Sequence, residues 1–321
     1  MSILITGGLG YIGGRLATFL KEQTGEKIYL TTTRKEKALP AWAREFTVLA
    51  MNLRDKDSVE RCIKDSGADT VVHLAAMNQN DCEKNPELAM DINVKGTSRL
   101  LEAAVANGVK RFVYFSTSHV YGKFSGEMTE ESPTSPAHPY SQSKRAAEDK
   151  VSSYKGKSGM HTLILRLANA YGYPMDKDVN VWPLAFNSFC KQCMVDGKLV
   201  IRSNPYRDFI SMQDVVRAVH HFLSLKDEKW GDGLFNVGGE CCLSVEEVAQ
   251  KVVGIYKKKF GQKPITIEYP SRGKDKQGKP FRYNVDKLKK TGFRWINNME
   301  EEIVGTLTLC EEFTKEKVSH V

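Results

Sequence analysis

The sequence predicts an α/β protein built on a doubly wound parallel sheet, with a smaller, interleaved C-terminal substrate-binding part. Three observations predict it. Short β-branched runs alternate with longer segments of 3.6-residue periodicity through the first half, the signature of βαβ units with helices on both faces of a parallel sheet. A glycine-rich turn, GGLGYIGG, lies directly between the first apolar run and the first helical one. After Tyr171 the alternation breaks into loops and short elements before resuming near Met212.

Taken in order, Ser2 to Thr6 reads as an apolar strand, Tyr11 to Glu22 as a helix and Lys27 to Thr33 as a second strand. Phe46 to Ala50 is a third strand, followed by a helix from Asp55 to Ser66. Thr70 to Leu74 is the fourth, and a single helix is expected through Pro86 to Asn107. Arg111 to Ser116 is the fifth strand, Pro139 to Lys155 a helix and His161 to Leu167 the sixth strand. Residues 172–180 form a loop rich in Pro, Asp and Gly, followed by a helix from about Trp182 to Cys193 and a short strand from Leu199 to Arg202. The helix Met212 to Leu225 returns to the parallel-sheet style, and residues 271–278 are a basic loop. The expected division is 1–173 with 206–238 for the nucleotide-binding domain, and 174–205 with 239–321 for the substrate-binding part.

Composition narrows the class. The chain has 321 residues, 41% hydrophobic, 27% charged and 9% aromatic, which excludes a disordered or fibrous protein. A mean hydropathy of −0.40 without a long uncharged apolar run excludes a membrane-spanning helix. The opening MSILITGG runs straight into a strand, so no signal peptide is expected. Seven cysteines, an odd number, then point to free thiols in a reducing cytoplasm. Cys190 and Cys193 form a CxxC pair inside an apolar helical run, which suits packing rather than metal binding, and no metal site is expected. Cys241 and Cys242 receive no role. The net charge of +8 reads as a solvated basic surface with a small anionic ligand such as a nucleotide. No aromatics interleave with the basic runs at 257–259 and 287–290, so nucleic acid is not an expected partner.

The glycine turn carries the first functional reading. Gly7, Gly10 and Gly13 supply a positive φ, close approach of backbone to a pyrophosphate, and tight helix–strand packing. The helix behind them aims free N–H groups and its positive end at the phosphates. This is a Rossmann-type dinucleotide site. At the end of the second strand, Thr31-Thr32-Thr33-Arg34-Lys35 has no carboxylate for a ribose 2′-hydroxyl. Hydroxyls and cations suit a 2′-phosphate, so NADP(H) is expected in preference to NAD(H).

Tyr140 and Lys144, in YSQSK, stand four apart on a predicted helix and therefore share a face. A neighbouring ammonium favours the phenolate, and Tyr140 is expected to exchange a proton with a hydroxyl or carbonyl near neutral pH. The fifth strand ends in Ser116-Thr117-Ser118-His119, at the sheet edge where ligands bind.

These motifs resemble the extended short-chain dehydrogenase/reductase family, in its branch of nucleotide-sugar epimerases, dehydratases and reductases. The resemblance covers residues 1 to about 302 and includes TGGLGYIG, VVHLAA, NVKGTSRLLEAA, VKRFVYFST, VYG, YSQSK, LRLANAYG, RDFISMQDVV and FNVGG. It implies that Thr117, Tyr140 and Lys144 form the catalytic triad, with Lys144 also bonding the nicotinamide ribose. It implies a cofactor site of Gly7, Gly10, Tyr11, Ile12, Gly13, Thr32, Thr33, Arg34, Asn52, Leu53, Leu74, Ala75, Ala76 and Asn93. It places Ser118, His119, Asn169, Asn180, Arg207, Arg272 and Arg282 on the substrate, the arginines on its phosphates. It also implies a homodimer formed by the helices around 98–107 and 140–150. The 4,6-dehydratases of this branch carry an Asp-Glu pair where Ser118-His119 stands, which disfavours dehydration. His119 suits proton transfer, but Asn180 replaces the histidine expected as a second acid/base.

The expected activity is 4-epimerisation of a nucleotide-diphosphate sugar by transient hydride transfer. The alternative is an NADPH-dependent 4-keto-sugar nucleotide reductase. A non-catalytic sensor or assembly protein ranks below both, because such relatives usually lack the Tyr/Lys pair. A reductase of hydrophobic alcohols is disfavoured by the basic substrate residues.

Overall fold

In the computed structural model, residues 1–34, 39–261, 264–270 and 278–319 are described. The chain divides into two compact units. The first comprises Met1–Lys123, Glu130–Leu167 and Val219–Val237, and the second Phe124–Thr129, Ala168–Ala218 and Gly238–Val321.

The first unit is an all-parallel seven-stranded sheet. Its spatial order is Leu234–Val237, His161–Leu167, Arg111–Thr117, Thr70–His73, Ser2–Thr6, Lys27–Thr32 and Thr47–Ala50. The order reverses between Ser2–Thr6 and Thr70–His73, where Ile3 pairs with Thr70 and Thr6 with His73. Such a reversal opens a crevice at the carboxyl ends of the strands. The strand residues Leu4, Val71, Phe112, Val113 and Leu163 are fully buried, as expected for strands covered on both faces. Each large apolar side chain so buried contributes about 1.5–3 kcal/mol before conformational entropy is counted.

Helix boundaries follow local chemistry. Asp55 caps Lys56–Ser66 by accepting from the N–H groups of Asp57 and Ser58, and Gly67 ends it at a φ of 52°. Pro139 opens Pro139–Ser152, where Ser141 Oγ accepts from the His138 N–H and donates to the His138 carbonyl.

One expected helix is built differently. The run Pro86 to Asn107 contains an α-turn at Pro86–Ala89, a π-helical turn at Met90–Lys95 and an α-helix at Gly96–Ala106. The extra residue in the π-turn leaves Gly96 tight against Leu53, where a Cβ would meet the Leu53 Cβ at 2.9 Å. Hydrophobic periodicity over so short a bulge does not reveal it. The short helix Gln79–Lys84, capped by Asn78, was not expected either.

The second unit contains a three-stranded sheet, Cys242–Ser244, Tyr206–Ser211 and Asn169–Tyr171, and two two-stranded pairs. The expected helix from Trp182 begins later, at Ala185–Val195, because its N-cap Leu184 is still extended at a ψ of 138°. Cys190 and Cys193 of the CxxC pair lie in this unit's core with Cys310. Burial pushes the Cys193 thiol up to about 12 and the Cys190 thiol well above its ordinary value. No helix among the described residues is long and apolar enough to cross a membrane.

A buried ion pair ties the first unit together. Arg166 donates to both carboxylate oxygens of Glu148, at 2.8 Å from Nη2 and 3.1 Å from Nε, and to the Tyr121 hydroxyl at 2.9 Å. Removing one partner of such a pair strands the other charge. Arg166→Met is expected to cost about 3–5 kcal/mol in urea denaturation. Adding Glu148→Gln to it should recover most of that loss, and a double variant no more stable than the single one would refute this account.

Candidate active site

The glycine turn has the geometry of a phosphate cradle. Gly7 adopts a φ of 67°, and Gly10 closes the turn with an N–H bond to the Gly7 carbonyl at 2.9 Å. At Gly13 a Cβ would lie 2.5 Å from the Gly7 carbonyl oxygen, so helix and turn pack backbone to backbone. Gly10 caps Tyr11–Gln23 and brings no side chain of its own to the helix entrance. Tyr11 and Ile12 are partly buried in its first turn. Strand Lys27–Thr32 ends beside it, with Thr32 and Arg34 partly buried and Thr33 exposed. The Arg34 N–H bonds the Thr32 hydroxyl at 3.0 Å.

The remaining cofactor candidates follow the neighbouring strand ends. Asn52 is exposed and accepts from the Arg54 N–H at 3.1 Å, while Leu53 is buried. Leu74 and Ala75 donate backbone N–H groups to the Thr6 hydroxyl, and Ala76 is exposed. Buried Asn93 accepts from the Met77 N–H at 2.8 Å and donates to Ser143 at 2.9 Å. A bare glycine turn, an uncapped helix entrance and hydroxyl-rich strand ends fit a dinucleotide.

Tyr140, Lys144 and Glu148 stand at four-residue intervals on Pro139–Ser152. Lys144 is buried, with its Nζ 4.2 Å from the centre of the Tyr114 ring. Burial pulls the Lys144 ammonium down to about 7, and the Glu148 carboxylate works against that pull. Tyr140 is partly buried, and burial pushes its phenol up to about 12. The sequence reading, in which the ammonium lowers the phenol, is reversed in the chain by itself because desolvation dominates.

Thr117 ends strand Arg111–Thr117, and its hydroxyl accepts from the His119 N–H at 3.3 Å in the turn Ser118–Tyr121. Ser118 is buried and His119 partly exposed. Ser116 is committed elsewhere, since its hydroxyl bonds Glu148. Two residues that sequence reasoning passed over, His73 and Ser143, are buried on the hydrogen bonds around Asn93. His73 stands in VVHLAA and Ser143 in YSQSK, inside motifs singled out for other members.

The other substrate candidates belong to the second unit. Asn169 bonds the Asp208 carbonyl at 3.1 Å, and Asn180 is exposed. Arg207 is half-buried, bonds the Tyr206 carbonyl and lies over Phe124. Among the described residues no carboxylate pairs with it, and burial lowers its pKa. Arg282 is exposed and held by Glu127 at 3.1 Å and Asp286 at 2.8 Å. Arg272 lies outside the described residues, as does Lys35. No cluster of metal-ligating side chains occurs among the described residues.

Residues 3–238 match the NAD dependent epimerase/dehydratase family. The chain belongs to that family. Its extended short-chain dehydrogenase/reductase fold is shared by solved members. One is the UDP-glucose 4-epimerase of Thermus thermophilus in complex with NAD, at 26% identity and a TM-score of 0.79, covering 97% of this chain and 99% of that one. The low-salt glycan biosynthesis protein Agl12 of Haloferax volcanii is 28% identical over 307 residues, 92% of this chain and 93% of its own. The mouse dTDP-D-glucose 4,6-dehydratase is 27% identical over 320 residues, 95% of this chain and 87% of its own. Nucleotide-sugar epimerases and dehydratases are thus the enzyme class to which this family member is related.

The depressed Lys144 makes a signed prediction. Its folded pKa of about 7 lies below the ordinary 10.5. Between these values the unfolded chain holds a proton that the folded chain has released, so this group makes stability climb with pH across that window. Below pH 7 the full burial penalty remains. Lys144→Met should therefore raise Tm most at or below pH 7, with the gain shrinking as pH rises to about 10. A gain independent of pH would show that Lys144 is not desolvated as described.

Proposed function

We propose that the protein 4-epimerises a nucleotide-diphosphate sugar. The observation that carries the reading is the stack of Tyr140 and buried Lys144 on one helix face, in the unit that also holds the glycine cradle. When bound, the dinucleotide supplies a hydride acceptor that can return the hydride. Tyr140 takes the C4 hydroxyl proton as the sugar is oxidised and gives it back when the other face is reduced. Lys144 holds positive charge beside the phenol, and the Thr117 hydroxyl bonds the same sugar oxygen. The Arg207 guanidinium, which no carboxylate among the described residues pairs, takes a substrate phosphate, for which its planar fork is suited.

A second reading, an NADPH-dependent 4-keto-sugar nucleotide reductase, is favoured by the strand end at Thr32, Thr33 and Arg34, which lacks a carboxylate. The same feature supports NADP(H) over NAD(H), although the similar Thermus enzyme was solved with NAD. Dehydration is disfavoured because Ser118 and His119 offer no carboxylic acid and base, although a 4,6-dehydratase is among the relatives. A homodimer in the cytoplasm completes the proposal.

Incubation with a panel of UDP- and dTDP-sugars and either dinucleotide tests it by chromatography and mass spectrometry. UDP-glucose is expected to give its C4 epimer without net cofactor consumption. Net NADPH oxidation with a 4-keto sugar would establish the reductase instead, and loss of water from dTDP-glucose would refute both. Tyr140→Phe is expected to lower kcat by roughly 10²–10⁴-fold. Arg34→Glu should weaken binding of NADP more than of NAD in a fluorescence titration, and equal effects would remove the 2′-phosphate assignment.

A further inference from the structure

A chain of hydrogen bonds runs from the strand that feeds the glycine turn to the helix that carries Tyr140, and its directions follow from donor and acceptor counts. Thr6 Oγ1 accepts from the N–H groups of Leu74 and Ala75, each at 3.1 Å. Both lone pairs are then used. Its proton therefore goes to His73 Nδ1, 2.7 Å away. With Nδ1 accepting, the ring proton of a neutral His73 sits on Nε2 and is donated to Thr97 Oγ1 at 3.0 Å. Thr97 gives its own proton to the Asn93 carbonyl at 2.6 Å. The Asn93 amide then donates to Ser143 Oγ at 2.9 Å, and Ser143 donates to the Tyr140 carbonyl at 2.8 Å.

The surroundings keep the ring neutral. His73 is 1% exposed and lies against Phe112 and Tyr114, with ring centres 5.9 Å and 5.7 Å away. Burial, with help from the Lys144 charge, lowers its pKa to about 3. The link it anchors falls in the π-turn Met90–Lys95, a bulge that sets where Asn93 points.

We propose that His73 is a positioning residue: as its Nε2–H tautomer it holds the Thr97–Asn93 link, and through Asn93 and Ser143 it fixes the backbone turn that presents Tyr140. Its kinetic consequence rests on the function proposed above, whereas the tautomer does not. Misplacement of a reacting group by about 1 Å can cost on the order of 10²-fold in rate, so a link that touches no substrate still registers in kcat.

Two measurements decide it. Nitrogen-15 NMR of histidine-labelled wild-type protein should show one of its seven histidines with Nε2 protonated, Nδ1 bare and no titration between about pH 5 and 9. That signal should disappear in His73→Gln. An Nδ1–H tautomer, or titration near the ordinary histidine value, overturns the proposal without any variant having to fold. The second measurement is kinetic, on the panel sugar turned over fastest. Thr97→Val, which keeps the shape but lacks the hydroxyl, should lose about tenfold or more in kcat with KM little changed. Thr97→Ser should stay within about threefold of wild type. His73→Gln, whose amide reaches toward Thr97, should retain more kcat than His73→Asn, whose amide reaches only toward Thr6. Equal losses for Thr97→Ser and Thr97→Val, or a loss confined to KM, overturn the positioning role. A wild-type chain with the Nε2–H tautomer that turns over no panel sugar sinks the functional reading and the kinetic part of this proposal with it. An Nδ1–H ring in an active chain sinks this proposal alone.

Discussion

Desolvation of three ionisable side chains on one helix face is the constraint on which the first unit depends. Tyr140, Lys144 and Glu148 follow one another at successive turns of Pro139–Ser152. Removing any of them from water penalises its charged form. Arg166 makes that tolerable for Glu148 by bonding both carboxylate oxygens, and the Ser116 hydroxyl is a second partner. The carboxylate so held then opposes the loss of charge at Lys144. Compensation thus passes from Arg166, on the strand His161–Leu167, to Glu148 and from there along the helix to Lys144. The pair that looks structural and the pair that looks catalytic are parts of one electrostatic arrangement.

That arrangement has a direction. With Tyr140 pushed up and Lys144 brought to about 7, the helix carries a protonated phenol one turn from a lysine that exchanges its proton near neutral pH. Such a phenol is ready to donate. In the proposed function, accepting a proton would call for added positive charge near the phenol, which an oxidised nicotinamide would bring. In that proposal the acid and base roles of Tyr140 would be separated by what lies beside it.

Much of this was legible in the sequence, for reasons specific to particular residues. A glycine turn is constrained at the backbone, so Gly7, Gly10 and Gly13 announce themselves by spacing. Tyr140 and Lys144 are legible because helical periodicity places them on one face. The π-turn at Met90–Lys95 was not legible, because one added residue leaves hydrophobic periodicity nearly intact. His73 was hidden for a different reason. A histidine in an apolar strand has no local signal for the hydroxyls that meet it, and Thr6 and Thr97 arrive from distant parts of the chain. Arg282 shows another limit: the resemblance implies a phosphate contact for it, and its pairing with Glu127 and Asp286 is visible only in the fold. The sign of the Tyr140 shift needed burial, which spacing does not report.

Arg207 and Asp208 show how strand geometry can turn adjacent opposite charges into separate problems. Neighbouring residues in a strand point to opposite faces, so Asp208 does not neutralise Arg207 within Tyr206–Ser211. Asp208 is buried and answered by backbone, accepting from the Gly239 N–H at 2.8 Å and the Cys241 N–H at 3.0 Å. Burial still pushes its carboxyl up to about 7, against the opposing pull of these two bonds. Arg207 has the same burden with less relief, a backbone carbonyl and an aromatic ring in place of an anion. A guanidinium does not shed its proton at any ordinary pH. It therefore keeps its charge. Among the described residues the second unit answers Arg207 with a carbonyl and a ring, and Asp208 with two backbone N–H groups.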